Sequence, residues 1–218
     1  MRLSETIRLI TAFSIFIFFV GAVRSNAQNN PTYYYVSPSG NDSNPGTESL
    51  PWRTLAKAAS MATANVTVFI KQGTYRERLV PTHSGTPDGP ITFTSYPGDS
   101  VNITGVGIKF QTGQFNDRWW NGLVHLDGLK YIKISGLRVL NSEATGILIL
   151  NSSYVTIEKN YIENTYSPGI DVVTCDNVVV EANEVVHGCT GGDQECISVG
   201  LKEIIIRLKS MIFNLAMK

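Results

Sequence analysis

Trp119 and Trp120 stand side by side after Asp117 and Arg118, and Asp171, Asp176, Asp193 and Glu195 gather in the last third of the chain. These residue types could do chemistry. The apolar face of an indole complements the C–H face of a sugar ring, so the tryptophan pair either stacks on carbohydrate or packs its own loop onto the protein. The four acids either line a ligand-binding edge or are solvated acids of surface turns. His125 has no partner at a useful spacing and reads as a surface or packing residue rather than a base. Cys175, Cys189 and Cys196 are an odd set. One disulfide and one free thiol is the simplest arrangement, with Cys189–Cys196 closing a loop or Cys175 bridging neighbouring coils.

The elements that must position these residues announce themselves by repetition. Tyr131 to Val139 returns as Tyr154 to Ile162 and again as Asn177 to Val185, at a step of 23 residues both times. A second short strand recurs between the copies, at Gly146–Ile149, Gly169–Val172 and Cys196–Val199. Strand-type units with a period in the low twenties mark a solenoid. The fold class is therefore all-β, a right-handed parallel β-helix with coils of about 23 residues. Alternation places Ile147, Ile149, Ile170, Val172, Ile197 and Val199 inside, with Val124 and Leu126 extending that column. His125, Leu148, Asp171 and Ser198 then share an outer column. Asn160 and Asn183 share one phase near a turn, where stacked asparagines satisfy backbone groups inside the coil.

Earlier in the chain, Val66–Ile70, Ile91–Tyr96 and Val101–Ile103 supply the first coils, and Gln111 to Gly122 interrupts the rhythm as a projecting loop. Trp52 to Ala62 reads as one amphipathic helix with Pro51 at its first turn. Placed before the first coil, it caps the open end of the stack. The organisation is a signal peptide over 1–27, an N-terminal strand, loop and capping helix over 28–65, coils over 66–200 and an atypical end over 201–218. The leader has Arg2 and Arg8, an apolar run from Leu9 to Val23, and Ser25-Asn26-Ala27 as a small-residue cleavage site, which predicts secretion with no membrane insertion after removal. The sequons at Asn41, Asn65, Asn102 and Asn151 could then carry glycans. Lys and Arg number 18, as do Asp and Glu, so no basic excess suggests nucleic acid. A monomer is expected. The apolar run before Lys218 lacks turn chemistry or a polar cap, which reads as a truncated or incomplete end.

Tyr35 to Asp42, Gly46-Thr47, Pro51-Trp52, Thr54-Leu55 and Phe69 to Tyr75 together resemble the cap and first coil of a known group. It is the secreted right-handed parallel β-helix proteins related to pectate lyases, alginate lyases and chondroitinase B. The resemblance runs from about Tyr34 to Gly200. It implies a polysaccharide lyase-like protein acting by β-elimination on acidic, uronate-containing polysaccharide. In that chemistry the uronate carboxylate is neutralised by Ca²⁺ or by cationic side chains while a basic group takes the neighbouring proton. The resemblance makes Asp171, Asp176, Asp193 and Glu195 the candidate Ca²⁺ ligands, and Trp119, Trp120 and Asp171 the candidate sugar contacts. No position here matches the catalytic base. The alternative is a non-catalytic extracellular β-helix that binds glycans or partners.

Overall fold

The computed structural model describes residues 30–110, 120–191, 196–200 and 212–214. Among these residues, short runs that alternate apolar and polar residues form sixteen strands, numbered in chain order, and one helix. The first sheet stacks β1 (Thr32–Val36), β2 (Val66–Ile70), β4 (Ile91–Ser95), β7 (Lys130–Ser135), β10 (Ser153–Glu158) and β13 (Asp176–Glu181). The second runs through β3 (Gly73–Tyr75), β5 (Val101–Thr104), β8 (Arg138–Ser142), β11 (Tyr161–Thr165), β14 (Glu184–Val186) and β16 (Ile212–Asn214). The third holds β6 (Gly122–Asp127), β9 (Thr145–Leu150), β12 (Ile170–Val173) and β15 (Ile197–Gly200). Every strand pairing is parallel, and in the regular part each residue pairs with its counterpart 23 positions on, as Val155 does with Ile132 and Val178. Successive coils of one chain thus stack as a parallel β-helix.

Inside, like packs on like. Val124, Ile147 and Ile170 sit opposite one another, as do Leu126, Ile149 and Val172, and all six are fully buried. Each strand step advances the stack by about 4.8 Å, so the six strands of the first sheet span about 24 Å. The asparagine ladder forms as the spacing predicts. Leu137 N–H donates to Asn160 Oδ1, Asn160 N–H donates to Asn183 Oδ1, and the two side-chain amides donate to the Ile134 and Ile157 carbonyls. Both asparagines are buried, so these bonds serve backbone groups that water cannot reach.

The helix is shorter than its sequence pattern. α1 spans Leu55–Met61, with Thr54 as the N-cap whose Oγ accepts the Lys57 N–H. Trp52 is not helical. It lies beside Val36 as a strand bridge, donating to the Tyr35 carbonyl and accepting from Ser37 N–H. Asp42 makes the helix begin where it does, because its carboxylate accepts N–H bonds from Arg53 and Thr54 and the Thr54 hydroxyl. Burial alone would raise that carboxyl's pKa, but these donors, with Lys57, hold it below its ordinary value. Leu55, Ala58, Ala59 and Ala62 are buried against the core, so α1 covers apolar surface at this end of the stack. β16 adds a sixth strand to the second sheet, beside β14. The rest of the atypical end expected over 201–218 lies outside the described residues.

Candidate functional site

The third sheet places His125, Leu148, Asp171 and Ser198 directly opposite one another, on the face turned away from the core. That order is the one the alternation predicts. Their exposure is different. Leu148 is 0 % and Asp171 7 % exposed, so this outer face is covered at β9 and β12 and not open to water. Burial pushes the Asp171 carboxyl above its ordinary range, against the Ser198 hydroxyl and the Val172 N–H, which favour the ionised form. Among the described residues, Asp171 Oδ1 has no hydrogen-bond partner.

At the head of this column His125 meets Arg78, 47 residues earlier in the chain. Leu79 bridges to Val124 and is fully buried, which turns Arg78 to the outside of the same face. Arg78 Nε donates to the Gly122 carbonyl at 2.9 Å, Nη2 lies 3.1 Å from His125 Nδ1, and the guanidinium sits 5.3 Å from the Phe110 ring centre. A guanidinium has no acceptor, so Nδ1 must carry the lone pair and His125 is neutral with its proton on Nε2. Burial and the Arg78 charge hold the imidazole below its ordinary pKa, and Asp127 opposes them weakly. The pair therefore offers donors only. His125 is half-buried and packed against Arg78, a partner that no local spacing could have revealed.

Trp120 is 54 % exposed, as a sugar-stacking ring would be. Trp119, Asp193 and Glu195 lie outside the described residues. Asp176 opens β13 on the first sheet and is exposed, whereas Asp171 is buried on the third, so the fold does not bring the two together. No three His, Cys, Asp or Glu side chains among the described residues gather to hold a metal ion. Asp171 and Asp176 by themselves do not make up the oxygen-rich shell that Ca²⁺ requires, and the other two candidate ligands lie outside the described residues.

Cys175 bridges no neighbouring coil, while Cys189 and Cys196, the pair expected to close a loop, lie near one another. Cys175 is buried in a turn where the Ser152 N–H donates to its sulfur at 3.4 Å, one coil after Ser152 Oγ accepts from Leu129 N–H. It is a rung of a second internal ladder, and a bridge would pull it out. Cys196 Sγ lies 3.9 Å from the Gly188 carbonyl, and burial, with Cys196 and Asp171 nearby, pushes the Cys189 thiol up to about 12. Of the sequons, Asn41 and Asn151 are exposed, while Asn65 and Asn102 are half-buried. Asn151 and Asn65 commit their amide nitrogens to Asp127 and to the Asn30 carbonyl, which leaves Asn41 the more open acceptor.

A larger recess of about 630 Å³ lies at Ser37, Lys71, Tyr96 and Asp99. Its charges are already engaged, since Lys71 approaches Glu48 at 3.9 Å and Asp99 accepts the Gln72 N–H. The third sheet's outer face is the better candidate. No helix among the described residues is long and apolar enough to cross a membrane.

Known proteins share this fold. The uncharacterized protein YwoF of Bacillus subtilis (strain 168) is 38% identical over 156 residues, 68% of this chain and 32% of that protein. Pectate lyase PEL9 of Emericella nidulans is 28% identical over 153 residues, 67% of this chain and 37% of that one. The chain thus spans about a third of the length of these curated relatives. The crystal structure of pectate lyase Pel9A superposes with a TM-score of 0.53 at 18% identity, over 72% of this chain and 47% of that one. The family described as Pel9A-like, right-handed β-helix region, matches residues 34–191. With most of its length in that match and its coils stacked in parallel register, the chain belongs to the Pel9A-like right-handed β-helix family.

Proposed function

We propose that this chain forms part of a secreted polysaccharide lyase-like protein that acts on acidic, uronate-containing polysaccharide by β-elimination. The proton beside a uronate carboxylate is only weakly acidic. Its removal needs positive charge on the carboxylate and a base on the proton. The observation that carries the reading is the Arg78 guanidinium fixed against His125 on the outer face of the third sheet, in a chain related to a pectate lyase. Arg78 supplies the first requirement.

A second reading is binding without cleavage. It is favoured by the surroundings of Asp171, where no Lys or Arg among the described residues bears on the carboxyl. A lysine base needs a desolvated place flanked by a second cation, which the surroundings of Asp171 lack among the described residues. Incubating the secreted protein with pectate, alginate and chondroitin, with and without Ca²⁺, separates the two. The lyase reading expects a rise in the absorbance of the unsaturated product on at least one polymer. No rise on any, with glycan binding that Trp120→Ala weakens and thermal stability preserved, leaves the binding reading in its place.

A further inference from the structure

We propose that Arg78 is the carboxylate-binding group of a uronate subsite, set in the recess it lines with Ala56 and Ser60 of α1 and with Val80, Thr82 and Ile108. This rests on the acidic-polysaccharide reading above and names the group that recognises the acid. The side edge of the guanidinium, Nε and the inner N–H of Nη2, is spent on the Gly122 carbonyl and on His125 Nδ1. Of five N–H donors three remain, and two of them, the outer pair on Nη1 and Nη2, form the end edge, a fork that holds a carboxylate with two parallel bonds. Arg78 forms no ion pair with any described residue, and its half-burial alone lowers its pKa. A guanidinium partly out of water without a counter-charge is a cost that an incoming carboxylate offsets.

The recess suits the rest of a sugar. It has a volume of about 400 Å³, in the range of small-ligand sites. Ala56, Val80 and Ile108 give it apolar walls for the ring's C–H face, and Ser60 and Thr82, whose hydroxyls donate to the Lys57 and Ala59 carbonyls, also line it. Glu77, the acid at this recess, accepts the Ala56 N–H at 3.2 Å and is turned toward the helix. It would repel a carboxylate placed there, so the sugar acid is directed to Arg78. Asp171 stands two rungs from His125, about 10 Å along the column with Leu148 between, too far to compete for Arg78.

The test follows the His125 ring resonances of the full chain by NMR during addition of galacturonate, its methyl ester and acetate. Galacturonate is expected to shift them at concentrations at least tenfold lower than either of the others. Arg78→Met is expected to abolish the shift and Arg78→Lys, which keeps the charge and loses the fork, to weaken it at least tenfold. Equal effects of galacturonate and its methyl ester, or no effect of either, overturn the subsite without reference to any variant. Acetate as effective as galacturonate overturns its sugar part and leaves a general anion site. A protein that shows the galacturonate shift but cleaves no polymer keeps the subsite and loses the lyase reading. Cleavage of pectate undiminished by Arg78→Met does the reverse.

Discussion

Asp171 shares its column with Leu148, and both are covered, so a carboxyl occupies a position that its neighbour fills with a hydrocarbon. Burial raises its folded-state pKa above the ordinary 3.8. For an acid shifted in this direction, the stability it contributes is fully present below the unfolded pKa and is lost as pH rises through the folded one. Asp171→Asn keeps the shape and cannot ionise. It should therefore melt higher than the wild type at pH 7, with the difference closing near pH 3, as thermal denaturation at the two pH values would show. A variant less stable than the parent at pH 7 would mean that the carboxylate is held by partners stronger than Ser198 and the Val172 N–H. His125 and Asp171 were both readable as outward-facing, because alternation is a local property of a strand. Their burial was not: His125 is covered in part by Arg78, 47 residues away.

Turns, more than strands, carry the repeat of the elements. Gly136, Lys159 and Ala182 occupy the same corner of successive coils at φ 69°, 55° and 52°. Tyr131, Tyr154 and Asn177 do so at another corner, with φ 56°, 56° and 51°. A left-handed residue costs little for glycine and about 1–2 kcal/mol for a side chain with a Cβ. The corner is kept because the ladder on either side fixes it: Leu137, Asn160 and Asn183 follow immediately, and their bonds demand the bend. Ala182→Gly should then stabilise the protein by about 0.5–1 kcal/mol, the relieved strain exceeding the added chain entropy. Ala182→Val should destabilise it by more than about 1 kcal/mol, because a β-branched residue tolerates positive φ worst. Urea titration of the pair reads both signs, and a glycine variant weaker than the parent would refute the strain argument. α1 shows the opposite balance. Its periodicity extends back to Trp52, but the Val36 bridge and the Asp42 carboxylate start it at Leu55.

Across the whole molecule, stability is a sum over neighbouring coils with ends that need protection. Leu55 is fully buried and belongs to the helix that packs on the core. Leu55→Ala should cost about 2–5 kcal/mol through lost burial and the cavity left behind. Because each coil touches mainly its neighbours, the loss should be graded. Amide hydrogen exchange is expected to accelerate most in β1, β2 and β4, and least in β10 and β13. Uniform acceleration through the stack would indicate all-or-none unfolding instead.

The sequence alone determined the solenoid, its 23-residue register, the inward and outward columns and the asparagine ladder. All follow from periodicities of two and of one coil, which a chain displays locally. The sugar-binding candidates were legible only as residue types, and of these Trp120 stands exposed while Asp171 stands covered. Tertiary structure decided what the one-dimensional pattern could not hold. Parallel stacking brings Arg78 to His125 across 47 residues, separates Asp171 from Asp176 onto two sheets, and makes Cys175 a ladder rung instead of half a disulfide. The physical reason is the same in each case. A coil of three sheets joins residues by their position around the turn, so contacts depend on how loops of unequal length close, and no spacing along the chain records that.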